Sequence, residues 1–96
     1  MPVFLDRGTE DVFHGRETKG ARKICPRDVW PKARRLLEQV DSARTLADLA
    51  IPPGNKLEPL RGDRKGQHSV RINDRYRICF RWTEEGPRDI EIVDYH

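Results

Sequence analysis

The chain has 96 residues, of which 36% are charged and 35% belong to the hydrophobic class. That length predicts one domain, residues 1–96, with one modest core, and excludes a second domain able to enclose a large cofactor. The formal charge of +3 is unevenly spread: residues 56–81 hold eight basic and three acidic side chains, the remainder 11 basic and 13 acidic.

In chain order, VFLD at 3–6 has the composition of a short strand. TEDVFHGRE at 9–17 reads as a helix with Thr9 as its N-cap and Val12 and Phe13 turned inward. GRETKGARK at 15–23 is basic and punctuated by glycine, which predicts a mobile loop. From Asp28 to Val40 the pattern is helical, because Val29, Ala33, Leu36, Leu37 and Val40 recur at spacings of three and four. Pro31 is tolerated only in a first turn, so Asp28 is the expected cap. LADLA at 46–50 adds a helical turn, and IPPGN at 51–55 stops it.

The period then changes to two. Val70 and Ile72 alternate with Ser69, Arg71 and Asn73; Tyr76, Ile78, Phe80 and Trp82 alternate with Arg77, Cys79 and Arg81. Asn73-Asp74 suits a tight hairpin turn. DIEIVDYH supplies a third run after the turn TEEGP, and the three read as an antiparallel meander. If Ile72, Ile78, Phe80 and Trp82 pack on the amphipathic helix, Arg71, Arg77 and Arg81 project from the opposite face. On the last strand Ile90 and Ile92 share the buried side, so Glu91, Val93 and Tyr95 point with the arginines, while alternation lapses at Asp94 and His96. A row of guanidinium groups points to a polyanionic partner, nucleic acid first, because guanidinium pairs with phosphate through two parallel hydrogen bonds.

Cys25 and Cys79 lack a metal-ligand spacing, and Cys79 is expected to be an inert, half-buried thiol. MPVFLDRG lacks the apolar stretch of a secretory leader, and no run approaches the roughly 20 apolar residues of a membrane span. The expectation is a reduced, cytoplasmic protein without membrane contact. His14, His68 and His96 are scattered, so neither a metal nor another cofactor is expected. Trp30 and Trp82 are expected in the core, and His68 reads as structural or RNA-contacting.

The terminal DYH brings a carboxylate, a phenol and an imidazole together, three groups able to move a proton. Residues 52–96, PPGNKLEPLRGDRKGQHSVRINDRYRICFRWTEEGPRDIEIVDYH, resemble the HigB toxins of type II toxin–antitoxin systems, within the RelE/ParE superfamily. The resemblance is carried by LEPLRGDRKG at 57–66, by Arg77-Ile78-Cys79-Phe80 and by DYH; in the first 45 residues it is looser, through a helix ending in Asp41-Ser42-Ala43.

The resemblance implies an α+β fold with N-terminal helices packed on one face of a small antiparallel sheet. It also implies a metal-independent endoribonuclease that cuts mRNA in the A site of the 30S subunit, neutralised by a HigA-like helix-turn-helix antitoxin in a hetero-oligomer. The family's catalytic positions fall on Glu58, Arg61, Arg77, Asp94, Tyr95 and His96. Many HigB proteins carry His where this chain has Glu58 and Lys where it has Arg61; a subgroup with the PPGN-x-LE and GQHS wording has Glu at the first. Arg64, Lys65, His68, Arg71, Arg75 and Arg81 are the expected RNA contacts. The competing readings are a ParE-like toxin that binds DNA gyrase without nuclease chemistry, and a plain nucleic-acid or ribosome-binding module whose binding falls with salt.

Overall fold

The computed structural model describes residues 3–94. Helices α1 (Arg7–His14), α2 (Lys19–Ile24) and α3 (Trp30–Ser42) precede strands β1 (Glu58–Pro59), β2 (Gln67–Arg71), β3 (Tyr76–Thr83) and β4 (Gly86–Asp94). Single 3-10 turns occupy Arg27–Val29, Leu46–Ala50, Pro53–Asn55 and Gly62–Arg64. The strands form one antiparallel sheet in the order β1-β2-β3-β4, the α+β arrangement expected of a RelE-like fold.

The N-terminal third departs most from expectation. α1 starts at Arg7, and its cap is Asp6 rather than Thr9: the Asp6 carboxylate accepts from the Thr9 amide at 2.6 Å and from the Thr9 hydroxyl at 3.2 Å. Thr9 is instead buried, and its hydroxyl accepts from the Ile92 amide at 3.0 Å, tying the helix to β4. The expected loop at 15–23 contains α2. Thr18 caps it by accepting from the Ala21 amide at 3.0 Å, and the same hydroxyl donates to Asp11 at 2.7 Å. Gly20, read from sequence as a breaker, lies inside α2, whose backbone Gly8 of α1 approaches closely: a Cβ on Gly8 would lie 2.8 Å from the Gly20 carbonyl oxygen.

α3 buries Ala33, Leu36, Leu37 and Val40, the face its spacing predicts. Asp28 is not its cap; it lies within the preceding 3-10 turn, and Val29 at the cap position makes no side-chain bond. Pro31 falls in the first turn, where its missing amide hydrogen costs nothing.

The expected three-strand meander is present, and β1 adds a fourth strand. β2 runs from Gln67 to Arg71, and the reversal spans 72–75 instead of two residues: the amides of Ile72 and Asn73 both donate to the Tyr76 carbonyl, at 3.0 and 3.2 Å. VFLD contributes a single parallel bridge, Phe4 to Ile90. Between the pairs Cys79↔Glu91 and Arg81↔Arg88, β4 advances three residues and β3 two, a bulge at which Asp89 takes a φ of 54°.

Val70, Ile72, Ile78, Phe80 and Ile90 are fully enclosed together with Leu37, Val40 and Leu49. Each such side chain contributes about 1.5–3 kcal/mol by leaving water. Trp30 and Trp82, expected within the core, are half-buried against its edge. Trp30 Nε1 donates to the Cys25 carbonyl at 3.0 Å. No helix among the described residues is long and apolar enough to cross a membrane.

Candidate active site

Cross-strand register decides which side chains share the face away from the helices. Arg71 sits opposite Arg77 and Gln67 opposite Arg81; Arg77 also faces Val93, Cys79 faces Glu91, and Glu58 faces Ser69. The expected arginine row is therefore formed on one side of the sheet, with Glu91 and Val93 beside it.

Arg77 is central to this face, and its side chain is only 11% exposed. Nε donates to Ser69 Oγ at 2.8 Å and Nη2 to the Lys56 carbonyl at 2.9 Å, with Glu58 Oε1 3.4 Å from Nη2. A guanidinium this far from water requires such partners, because an uncompensated buried charge is costly. The carbonyl is aimed by Lys56 itself, which takes the left-handed conformation at φ 47°. That turn rests on buried Asn55, whose amide donates to the Leu49 and Ile51 carbonyls and to Gln39 of α3. A hydrogen-bonded chain thus runs from α3 through the 51–56 segment to the guanidinium.

The remaining site residues fall into distinct groups. Arg61 and Lys65 are exposed on the loop between β1 and β2. Arg64, from the same loop, reaches Glu91 at 2.7 Å and Gln67 at 3.1 Å. Arg71 pairs with Asp74, and Arg81 lies 3.5 Å from Asp89. Arg75 grips Asp94 through Nε and Nη2, at 3.0 and 2.8 Å, and its guanidinium lies 5.5 Å from the Tyr76 ring centre. This bond to Asp94 holds the Arg75 guanidinium even more firmly protonated than usual.

Asp94 pairs with Tyr76, one residue along from the Arg77↔Val93 pair. Tyr95 and His96 lie outside the described residues. His68 pairs with Phe80, and its ring stacks over that side chain on the helix-facing side, away from the arginine row. Its Nδ1 has no hydrogen-bond partner among the described residues.

Cys79, expected half-buried, is fully enclosed, because its face is roofed at the centre by side chains rather than open to water. Burial pushes its thiol up to about 11, and Cys25 likewise to about 11. At neutral pH neither is a nucleophile. Among the described residues no cluster of three or more His, Cys, Asp or Glu side chains is arranged to hold a metal ion.

Ser69, the Lys56 carbonyl and Glu91 were not singled out from sequence. Ser69 carried a usable signal: a small hydroxyl residue on the arginine face of a central strand, where a larger side chain would displace the guanidinium. The Lys56 carbonyl carried none, since lysine is not a residue that announces a left-handed turn. Chemically the site offers a cation held at three points, an adjacent carboxylate of which 48% is exposed, and further arginines along the rim.

Comparison with known proteins places the chain in a family. Residues 3–96 match the family model described as RelE-like toxin of type II toxin–antitoxin system HigB. Toxin HigB-1 of Vibrio cholerae serotype O1 (strain ATCC 39315 / El Tor Inaba N16961) is 36% identical over 81 residues, covering 84% of this chain and 82% of the relative. A family match over nearly the whole length, on a chain whose strands set the arginines in one row, leads to one conclusion: the chain belongs to the RelE-like HigB toxins of type II toxin–antitoxin systems.

Proposed function

We propose that this HigB toxin is a ribosome-dependent endoribonuclease that cleaves translated mRNA in the A site, and that a HigA-like helix-turn-helix antitoxin neutralises it in the cytoplasm as part of a hetero-oligomer. The observation that carries the reading is Arg77, locked by Ser69 and the Lys56 carbonyl beside the accessible carboxylate of Glu58.

Cleavage of this kind needs no metal. A base takes the proton of a ribose 2′-hydroxyl, the oxygen attacks the adjacent phosphorus, and the bond to the 5′-oxygen breaks as an acid protonates it, giving a 2′,3′-cyclic phosphate and a 5′-hydroxyl. Arg77 supplies fixed positive charge where the five-coordinate phosphorus gathers negative charge. Arg61 is a second clamp. Glu58, Asp94 and His96 are the candidates for the base or for orienting it, and Tyr95 for stacking on a base or donating a proton.

The test is RNA-end mapping in cells after induced expression, with Arg77→Ala and His96→Ala alongside. Breaks inside codons of translated messages, reduced at least about 100-fold in each variant, support the assignment. Two fully toxic variants would overturn it. Intact messages with inhibited gyrase supercoiling would favour a ParE-like toxin acting by binding alone.

A further inference from the structure

Behind the arginine row lies a groove of about 420 Å³, lined by Lys32, Arg35, Leu36 and Gln39 of α3, by Pro52, Gly54 and Asn55 of the 51–56 segment, and by Arg71. Three of these eight residues are cations. Lys32 and Arg35 are exposed, one helical turn apart, and in no ion pair with a described residue. Among the described residues, the one anion bound to a lining cation is Asp74, on Arg71. Asp74 is 97% exposed, so solvent weakens its hold.

The groove is also preformed. Gln39 Nε2 donates to the Ile51 carbonyl at 2.7 Å, and the Asn55 amide to Gln39 and to the Leu49 and Ile51 carbonyls, so its two walls are already joined. Its apolar strip, Leu36 with Pro52, gives a sugar or base a dry surface.

The groove connects to the candidate active site through one residue. Arg71 lines the groove and is the cross-strand neighbour of Arg77, which sets their Cα atoms about 5 Å apart. Arg71 therefore belongs both to the row that holds Arg77 and to the groove that Arg35 and Lys32 line. We infer that this α3 groove is a second phosphate-binding subsite, which holds single-stranded RNA flanking the bond positioned at Arg77. The inference rests on the nuclease reading above for the identity of the strand. An extended polyphosphate suits it better than an acidic protein segment, because the groove shares Arg71 with the row that holds Arg77 rather than forming an isolated patch.

The experiment measures binding of a 12-nucleotide 2′-O-methyl RNA, which lacks the attacking hydroxyl, across a salt series. It compares the parent chain with Lys32→Ala/Arg35→Ala and with Arg77→Ala. Both helix positions are exposed, so the double variant keeps its fold, and circular dichroism confirms it. The expected result is weaker binding by the double variant, with a log K against log salt slope shallower by roughly 1.4, two phosphate contacts at about 0.7 each. A trinucleotide, too short to reach from Arg77 into the groove, is expected to show no difference.

An unchanged slope, or a parent chain that does not bind the 12-mer, overturns the inference. So does a double variant that loses affinity for its antitoxin while binding RNA normally, which would assign the groove to a protein partner. Failure of the nuclease reading is seen separately, as message cleavage that persists in Arg77→Ala.

Discussion

The two faces of the sheet are made by alternate residues of the same strands, yet they are closed by different means. On the helix side, Val70, Ile72, Ile78, Phe80 and Ile92 share one buried cluster with Val12 of α1 and Leu37 and Val40 of α3, and apolar contact, joined by the buried Thr9–Ile92 bond, excludes water. On the arginine side, Ser69 and Cys79 are equally enclosed, but beneath charged groups: Arg77 held by Ser69 and the 56–58 segment, and Arg64 held by Glu91. One face is stable because it is dry and packed. The other is ordered because each charge has a partner, an arrangement that adds less stability but fixes where cations stand.

If this contrast is right, substitutions on the two faces separate stability from activity. The largest effect is expected for Phe80→Ala, which empties a fully buried aromatic site: about 3–5 kcal/mol of stability by urea unfolding, with cleavage per folded molecule preserved. A loss below about 1 kcal/mol would mean that the helix face is not the stabilising one.

Gly8→Ala comes next. The new Cβ meets the Ile24 side chain and the Gly20 carbonyl, so α1 and α2 must separate. A drop of about 1–3 kcal/mol in the same assay is expected, again without specific loss of cleavage. An unaffected midpoint would show that the two helices are not in tight contact.

Ser69→Ala sharpens the comparison from the other side. The hydroxyl bonds a charged donor, so its loss is expected to lower cleavage about tenfold in kcat, while thermal unfolding shifts little. Repeating the change in an Arg77→Lys background, which has no guanidinium to orient, is expected to have no further effect. Equal losses in both backgrounds would reduce Ser69 to a packing residue.

The smallest effect concerns Asp11. The Thr18 hydroxyl, with help from Arg16, holds its carboxyl below the usual aspartate range. A carboxyl lowered in the folded state stabilises the fold above the unfolded value, near about 3.9, and that contribution fades as pH falls through the lower folded value. Asp11→Asn is therefore expected to lower stability modestly at pH 7 and to flatten the acid limb of a stability profile, the two proteins converging at low pH. An identical acid limb in both proteins would remove Asp11 from the account.

Much of this was legible from local pattern. Period two in 69–82 placed Arg71, Arg77 and Arg81 on one face and Ile72, Ile78 and Phe80 on the other, and period 3.6 placed the buried face of α3. α2 was missed because glycine and basic residues signal a loop when read alone, whereas the segment is held against α1 at Gly8, twelve residues before Gly20. The Asp28 cap was missed because a 3-10 turn feeds α3 directly.

What the sequence by itself determined is the side on which each strand residue stands and the chemistry it carries there, since backbone geometry imposes both within a few residues. Only the tertiary structure decided which groups meet. Ser69, the Lys56 carbonyl and Glu58 converge on Arg77 from 8, 21 and 19 positions away in the chain, and Arg64 finds Glu91 across 27. Such meetings depend on the path of the 51–66 segment over the sheet, and that path is set by packing summed over the whole core rather than by any local preference.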